Sequence, residues 1–182
     1  NYLKNSNLDG TYTVIATVGH IINLDHGHMA VDIMNNYKPT WVPMSDKKKV
    51  ISDMKAKIKS ADHVYLATDP DLAGEFIAWS VFHLCKLSAT KYNRVTFNSI
   101  TKPAILKGFE VTAQSNRKID MNKVYAEQTR RLLDRLIGFS LSPLVMKAVS
   151  GRSAGRCQSP ITRLVYERDQ EIAKFVPDEQ FP

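Results

Sequence analysis

The sequence predicts an α/β domain followed by an all-α segment. Strand-like and helix-like patterns alternate up to about residue 117, and after Lys118 the strand patterns stop while helix signals continue. Alternation of strand and helix implies right-handed crossovers and a parallel sheet between helices. A chain of 182 residues is also long enough to bury a substantial hydrophobic core.

The elements of the first part follow from their side-chain patterns. β-rich or short apolar runs predict strands at residues 12–18, 63–67 and 94–97. Apolar spacing predicts helices that begin after Ser45, at residues 75–87 and after Thr101, with the serine and the threonine as N-caps. Residues 20–44 contain several Gly, Pro, Asn and His residues and few periodic signals, so we interpret them as loop.

The second part contains only helix signals, which Gly and Pro residues separate. Three helices are predicted, at residues 120–137, 142–151 and 159–175. Asp120 is expected to cap the first helix, and Gly138 is expected to end it.

Composition and charge limit the class of protein. Hydrophobic residues are 43% and charged residues 24%, which excludes a wholly disordered chain. Two cysteines exclude a disulfide scaffold and indicate a reducing, cytoplasmic location, and no apolar run is long enough to cross a membrane. The net charge of +7 favours a polyanionic partner, because residues 130–163 hold seven Lys or Arg side chains and one Asp.

Carboxylates follow the predicted strand at residues 63–67. Asp69 and Asp71 come directly after it, and Glu75 begins the next predicted helix. Ligands of open α/β sheets bind at the carboxyl ends of strands, and carboxylates are ligands that Mg²⁺ prefers. One interpretation is therefore a Mg²⁺ site for phosphoryl chemistry on nucleic acid. The alternative is that an aspartate only caps the helix while Glu75 favours its dipole.

Two further patterns suit phosphate binding. Arg130 and Asp134 are spaced i, i+4 on one helix face, so Asp134 either orients Arg130 towards a phosphate or forms only a surface pair. Residues 151–159 form a Gly- and Ser-rich turn that enters a helix. Free backbone N–H groups and an arginine at such a turn bind phosphate, although an ordinary capped turn has the same composition.

Five segments together resemble the type IA DNA topoisomerases, in the order in which that family carries them. They are TVGHIINL (17–24), YLATDPDLAGEFIAW (65–79), RVTFNSIT (94–101), IDMNKVYAEQTRRLLDRLIGFSLSPL (119–144) and SAGRCQS (153–159). The second resembles the acidic motif ATDxDREGExIAW, the third RxxFNEIT and the last SAGRVQS. The sequence is similar in particular to the bacterial-type enzymes that relax negative supercoils.

The resemblance implies a Toprim domain at residues 1–117 and the start of a helical domain that holds single-stranded DNA at residues 118–182. It implies a monomeric enzyme that relaxes negatively supercoiled DNA with Mg²⁺ and without ATP. A tyrosine would cut one strand and form a 5′-phosphotyrosine. The other strand would pass through the gap, and the break would then be religated. The DNA partner would be a single-stranded segment of the supercoiled duplex.

The same resemblance assigns roles to individual residues. By position, Asp69 and Asp71 would hold Mg²⁺ and Glu75 would belong to the same catalytic motif. Arg130 would contact the phosphate near the cleavage point, and Asp134 would position it. The DNA path would be lined by His20, Arg94, Asn98, Arg130, Arg131, Ser153, Arg156, Gln158 and Ser159.

The sequence departs from the family pattern in the acidic motif, where Leu72 replaces an arginine and Ala73 replaces a carboxylate. The family's first-strand glutamate and its nucleophilic tyrosine are expected to lie outside these 182 residues, so the chain alone is expected not to relax DNA. Two alternatives remain: a non-catalytic DNA-binding module, or another Toprim enzyme such as a primase or nuclease.

Overall fold

The structure is a computed structural model that describes residues 10–149 and 151–177. It forms two compact units that divide between Arg130 and Arg131. The strands of the described residues are β1 (Ile22–Leu24), β2 (Val31–Asp32), β3 (Lys38–Pro39), β4 (Trp41–Pro43), β5 (Val64–Leu66) and β6 (Tyr92–Arg94). The helices are α1 (Lys48–Ser60), α2 (Leu72–Cys85), α3 (Lys102–Ser115), α4 (Met121–Val149) and α5 (Gln158–Lys174).

A parallel strand pair lies at the centre of the first unit. β5 pairs with β6, Val64 opposite Tyr92 and Leu66 opposite Arg94, and α2 joins the two strands. The predicted parallel sheet among helices, followed by a helical segment, is therefore confirmed. Because the strands are parallel, the residues that follow Leu66 and those that follow Arg94 leave the sheet at the same edge.

The region interpreted as loop, residues 20–44, contains four short strands, so that prediction was wrong. β1 pairs with β4 and β2 with β3, both antiparallel. Strands of two or three residues are too short to show an alternating pattern, so nothing in the sequence distinguishes them from loop. Ile22 and Leu24 of β1 are nonetheless buried in the core.

The strand predicted at residues 12–18 is absent, and that prediction was wrong: these residues form no β-pairing with the described strands. These residues and β5 line a common cavity of about 950 Å³. A β-rich sequence forms a strand only when its backbone pairs with a partner edge, and this segment pairs with none of the described strands. Aromatic contacts hold the segment in place, since the Tyr12 ring centroid lies 6.4 Å from that of Tyr65 and 6.3 Å from that of Phe109.

Most of the core of the first unit surrounds α2. Phe76 and Ala78 have no exposed surface, and they cluster with Ile21, Met54 and Leu66 from three other segments. The core therefore fixes α2, whose first turn follows the predicted acidic site. No helix of the described residues combines the length and the apolar composition that crossing a bilayer requires.

Several element boundaries differ from the prediction. α2 spans Leu72–Cys85 rather than residues 75–87, and β6 spans Tyr92–Arg94 rather than residues 94–97. Ser45 does not cap α1, because residues Ser45–Lys47 form a 3₁₀ turn that leads into it. Gly138 does not end the helix before it, and α4 continues through both Gly138 and Pro143. One internal glycine costs only about 1 kcal/mol, and a proline removes one hydrogen bond from a helix of 29 residues. α5 begins within a residue of its expected start.

Candidate functional site

The predicted acidic site is a loop between β5 and α2, residues 67–71, called here the acidic loop. Asp69 and Asp71 are both exposed. Asp71 is the N-cap of α2, since one of its carboxylate oxygens accepts a hydrogen bond from the Gly74 N–H at 2.7 Å. The cap uses one oxygen of the exposed Asp71 carboxylate, and Asp69, two residues earlier, is also exposed.

Gly74 allows the acidic loop to lie against the first turn of α2. A Cβ atom at Gly74 would overlap the backbone of Asp69, so no larger residue fits without moving the loop. The Thr68 hydroxyl donates a hydrogen bond to the Gly74 carbonyl at 2.6 Å. The loop and the helix start thus form one close-packed turn.

Arg94 was expected to line the DNA path, and the structure corrects this assignment. Its side chain has no exposed surface, so it cannot reach a DNA phosphate. The guanidinium lies beneath the acidic loop, where Nη1 donates to the carbonyls of Leu66 and Thr68 at 3.0 and 2.8 Å and Nη2 donates to that of Asp69 at 2.6 Å. Arg94 therefore binds the protein's own backbone.

Glu75 was expected to belong to the catalytic set, but it is buried with 3% of its surface exposed. Its Oε2 accepts from Arg94 Nε at 2.9 Å, and its Oε1 accepts from the Asp120 N–H at 2.7 Å. Burial lowers the pKa of Arg94, and the Glu75 carboxylate opposes that shift. Glu75 is thus the counter-ion of Arg94, and neither of its oxygens faces solvent.

The start of α4 contacts the same loop. The Lys123 ammonium donates to the carbonyl of Pro70 at 2.8 Å, and the Asp120 side chain accepts from the Asn122 N–H at 3.0 Å, as the predicted cap. Two hydrogen bonds therefore fix the start of α4. Lys123 binds the acidic loop, and the Asp120 N–H binds Glu75.

Arg130 and Asp134 have partners that the sequence did not suggest. Arg130 donates to both oxygens of Glu127 at 2.9 Å, and Glu127 is buried with 1% exposed. Asp134 receives two hydrogen bonds from Arg156, at 2.9 and 3.3 Å. Glu127 therefore orients Arg130, and its i, i+3 spacing is the sequence signal for this pair.

In the second unit, residues 151–157 form the predicted turn before α5, called here the Gly/Ser turn. Its fold depends on hydroxyl contacts: Ser142 accepts from the Ala154 N–H at 3.1 Å, and Ser159 accepts from the Gly155 N–H at 3.2 Å. The Gln158 amide donates to the Ser153 hydroxyl at 3.0 Å. Of the predicted DNA-path residues, this unit brings together Ser153, Arg156, Gln158 and Ser159 on exposed positions.

The remaining predicted residues lie in other environments. His20 is half-buried, with its ring centroid 5.7 Å from that of Phe76. Asn98 is exposed in the segment between β6 and α3, and Arg131 is half-buried on α4.

The comparisons with known proteins agree with this fold. Residues 2–100 match the family model of the Toprim domain, and residues 118–181 match a family model described as DNA topoisomerase. The solved structure of full-length topoisomerase I from Thermotoga maritima superposes with a TM-score of 0.78, at 37% identity over 92% of this chain. The present chain spans 28% of the length of that protein.

The parallel pair with its acidic loop thus belongs to a Toprim domain. The chain belongs to the type IA DNA topoisomerase family, as the five sequence segments predicted. A primase or nuclease of the Toprim fold would leave the topoisomerase match at residues 118–181 unexplained.

Proposed function

We propose that the protein that contains this chain relaxes negatively supercoiled DNA by cutting one strand, passing the other and religating the break. A tyrosine of the whole protein would attack the phosphorus, which forms a 5′-phosphotyrosine and releases the 3′-hydroxyl. Religation reverses this exchange, so the reaction needs no ATP. The observation that carries the proposal is the exposed carboxylate pair on a fixed loop at the carboxyl end of a parallel strand pair, within a type IA topoisomerase.

The chemistry of Asp69 and Asp71 fits Mg²⁺, which takes oxygen ligands and is often held by one or two carboxylates with water in the other positions. Among the described residues, no three Asp, Glu, His or Cys side chains form a metal-binding group. The two aspartates would hold the ion with water as the other ligands, and Ala73 provides no third carboxylate. Bound Mg²⁺ would neutralise charge on phosphate oxygens.

The DNA would be a single-stranded segment that exposed side chains hold mainly by its phosphates. Arg130, with Glu127 fixing its guanidinium, and Arg156, with Asp134, present oriented forks of the kind that bind phosphate. Ser153 of the Gly/Ser turn, and Gln158 and Ser159 at the start of α5, would contact the DNA backbone. His20, Asn98 and Arg131 remain proposed contacts, and the enzyme would act as a cytoplasmic monomer.

The proposal is tested by relaxation of supercoiled plasmid with the whole protein, in Mg²⁺ and in chelator, without ATP. Asp69→Asn and Asp71→Asn should abolish Mg²⁺-dependent relaxation but preserve binding of single-stranded oligonucleotide. Asp62→Asn, which removes a carboxylate from an exposed position before β5, is the matched control. Relaxation that persists in both loop variants would overturn the assignment of the site.

Ala73 supports a second candidate, a non-catalytic DNA-binding module, because it removes a carboxylate from the family's acidic motif. This candidate predicts oligonucleotide binding with no cleavage of any strand in Mg²⁺. Trapping of covalent protein–DNA adducts by denaturant separates the two, since only the topoisomerase forms them.

A further inference from the structure

Arg94 occupies a position that links the strand pair to the acidic loop. It is the last residue of β6 and lies opposite Leu66, the last residue of β5. From there its side chain passes beneath the loop, with no exposed surface. Three of the four carbonyls that it contacts, those of Leu66, Thr68 and Asp69, belong to the stretch that leads from β5 into the acidic loop.

The contacts involve all three nitrogens of the guanidinium. Nε donates to Glu75, Nη1 to Leu66, Thr68 and Val95, and Nη2 to Asp69. A planar fork with five N–H donors can gather carbonyls that converge from several directions, whereas lysine offers three donors from one nitrogen. The loop backbone is therefore held by one side chain rather than by a β-ladder.

In the acidic loop, backbone carbonyls bind the buried Arg94 while the aspartate side chains are exposed. The carbonyl of Asp69 is turned inward to Arg94, while the Asp69 carboxylate is at the surface. Asp71 is fixed in turn by its cap to Gly74. Arg94 thus holds the backbone of Asp69 without a hydrogen bond to the carboxylate of Asp69 or of Asp71.

We propose that Arg94 and Glu75 are positioning residues that set the geometry of Asp69 and Asp71 for a divalent cation. The inference rests on the proposed function, because it assumes that these aspartates bind the cation. Glu75 balances the buried charge of Arg94 and, through the Asp120 N–H, joins the cation site to the start of α4. Neither residue contacts DNA or the cation.

The test measures cation affinity on the 182-residue chain. Mn²⁺ is titrated while the broadening of amide resonances in the acidic loop is followed by NMR. Arg94→Lys keeps the charge but loses the fork, and it should weaken Mn²⁺ binding by about 10- to 100-fold, as supporting contacts of metal ligands do. Val81→Ala, which removes buried surface from α2 away from the loop, controls for a general loss of stability. It should bind Mn²⁺ as the wild type does.

A second variant covers the case in which Arg94→Lys does not fold. Glu75→Gln has the same size, but its amide nitrogen cannot accept one of the two hydrogen bonds that the carboxylate accepts. We expect weaker Mn²⁺ binding together with faster hydrogen exchange of the Asp120 amide. The stability control Val81→Ala, compared with Glu75→Gln at equal melting temperature, should change neither the Mn²⁺ affinity nor the exchange rate of the Asp120 amide.

The outcomes distinguish the inference from the proposed function. If Mn²⁺ binding depends on Asp69 but is unchanged in Arg94→Lys and Glu75→Gln, the positioning role is wrong and the proposed cation site stands. If the wild type does not bind Mn²⁺ at the acidic loop, both are overturned. A flatter salt dependence of oligonucleotide binding in Arg94→Lys would make Arg94 a DNA contact and would also overturn the inference.

Discussion

Asp134 and Arg156, 22 residues apart in sequence, form a two-hydrogen-bond ion pair that joins α4 to the Gly/Ser turn within the second unit. Both side chains remain partly exposed, at 39% for Arg156 and 48% for Asp134. An exposed pair of this kind contributes only about 0.2–1 kcal/mol to stability. Its importance therefore lies in the orientation of the guanidinium.

Replacement of Arg156 by alanine should weaken binding of single-stranded DNA and flatten its salt dependence. Each phosphate that an arginine neutralises contributes roughly −0.7 to the slope of log K against log salt on single strands. The measurement is a salt titration of fluorescent oligonucleotide anisotropy. Arg168→Ala, which removes an exposed arginine paired with Glu171 on α5, is the control and should leave the slope unchanged. Equal slopes for all three proteins would exclude Arg156 from the DNA path.

Asp134→Asn should change oligonucleotide affinity by less than twofold. The substitution removes a negative charge near the proposed DNA path, which favours binding, but it also releases the guanidinium that Asp134 orients, which opposes binding. The same anisotropy titration checks this. Clearly tighter binding at low salt would mean that Asp134 only repels DNA.

Gly74→Ala should destabilise the first unit by about 1–3 kcal/mol, because the added methyl group overlaps the backbone of Asp69. Urea unfolding followed by tryptophan fluorescence reports on this unit, since Trp41 and Trp79 both lie there. Gly138→Ala is the matched comparison: its Cβ meets nothing within 4 Å, so circular dichroism should show α4 stabilised by up to about 1 kcal/mol. Destabilisation of similar size at both positions would contradict the close contact at Gly74.

Ala73→Glu should strengthen Mg²⁺ binding, which we expect to be millimolar or weaker in the wild type. A carboxylate about 4 Å from the ion adds on the order of 1 kcal/mol even in water, which is at least roughly fivefold in affinity. Titration calorimetry measures the change. Ala104→Glu places the same charge in the first turn of α3 and should have little effect. An equal gain in both variants would indicate non-specific attraction.

Cys157 should react with maleimide much faster than Cys85, and bound oligonucleotide should slow the reaction. Cys157 is exposed in the Gly/Ser turn, whereas burial raises the pKa of the Cys85 thiol, with Lys55 partly opposing the shift. A raised pKa lowers the thiolate fraction and therefore the rate. Mass spectrometry of the two labelled peptides provides the rates. Labelling of Cys157 that DNA does not protect would place the Gly/Ser turn outside the interface.

The sequence predicted those parts of the fold that follow from the local pattern of apolar and polar residues and from the side chains at the end of a strand. The β5–α2–β6 unit and the exposed carboxylates after β5 followed from an apolar run and the polar residues behind it. The paired strands in residues 20–44 did not, because two- and three-residue strands depend on tertiary pairing.

The role of Arg94 could not be predicted in the same way. Arginine is almost always at the surface, and its burial depends on carbonyls and a glutamate that only the folded chain brings together. Long-range polar contacts such as those of Arg94 leave little trace in periodicity. Arg130 is a different case, because its partner Glu127 is local and Asp134 lies at a similar helical spacing on the other side.

The hold of Arg94 on the acidic loop also bears on how such a site can evolve. Because backbone carbonyls, the cap at Asp71 and the small volume of Gly74 determine the path of the loop, side chains such as those of Leu72 and Ala73 carry little of its architecture. Mutations at these two positions can alter the charge and the number of metal ligands without changing the path of the main chain. The departures from the family motif at Leu72 and Ala73 therefore change the chemistry of that motif without removing any of the contacts that fix the backbone of the loop.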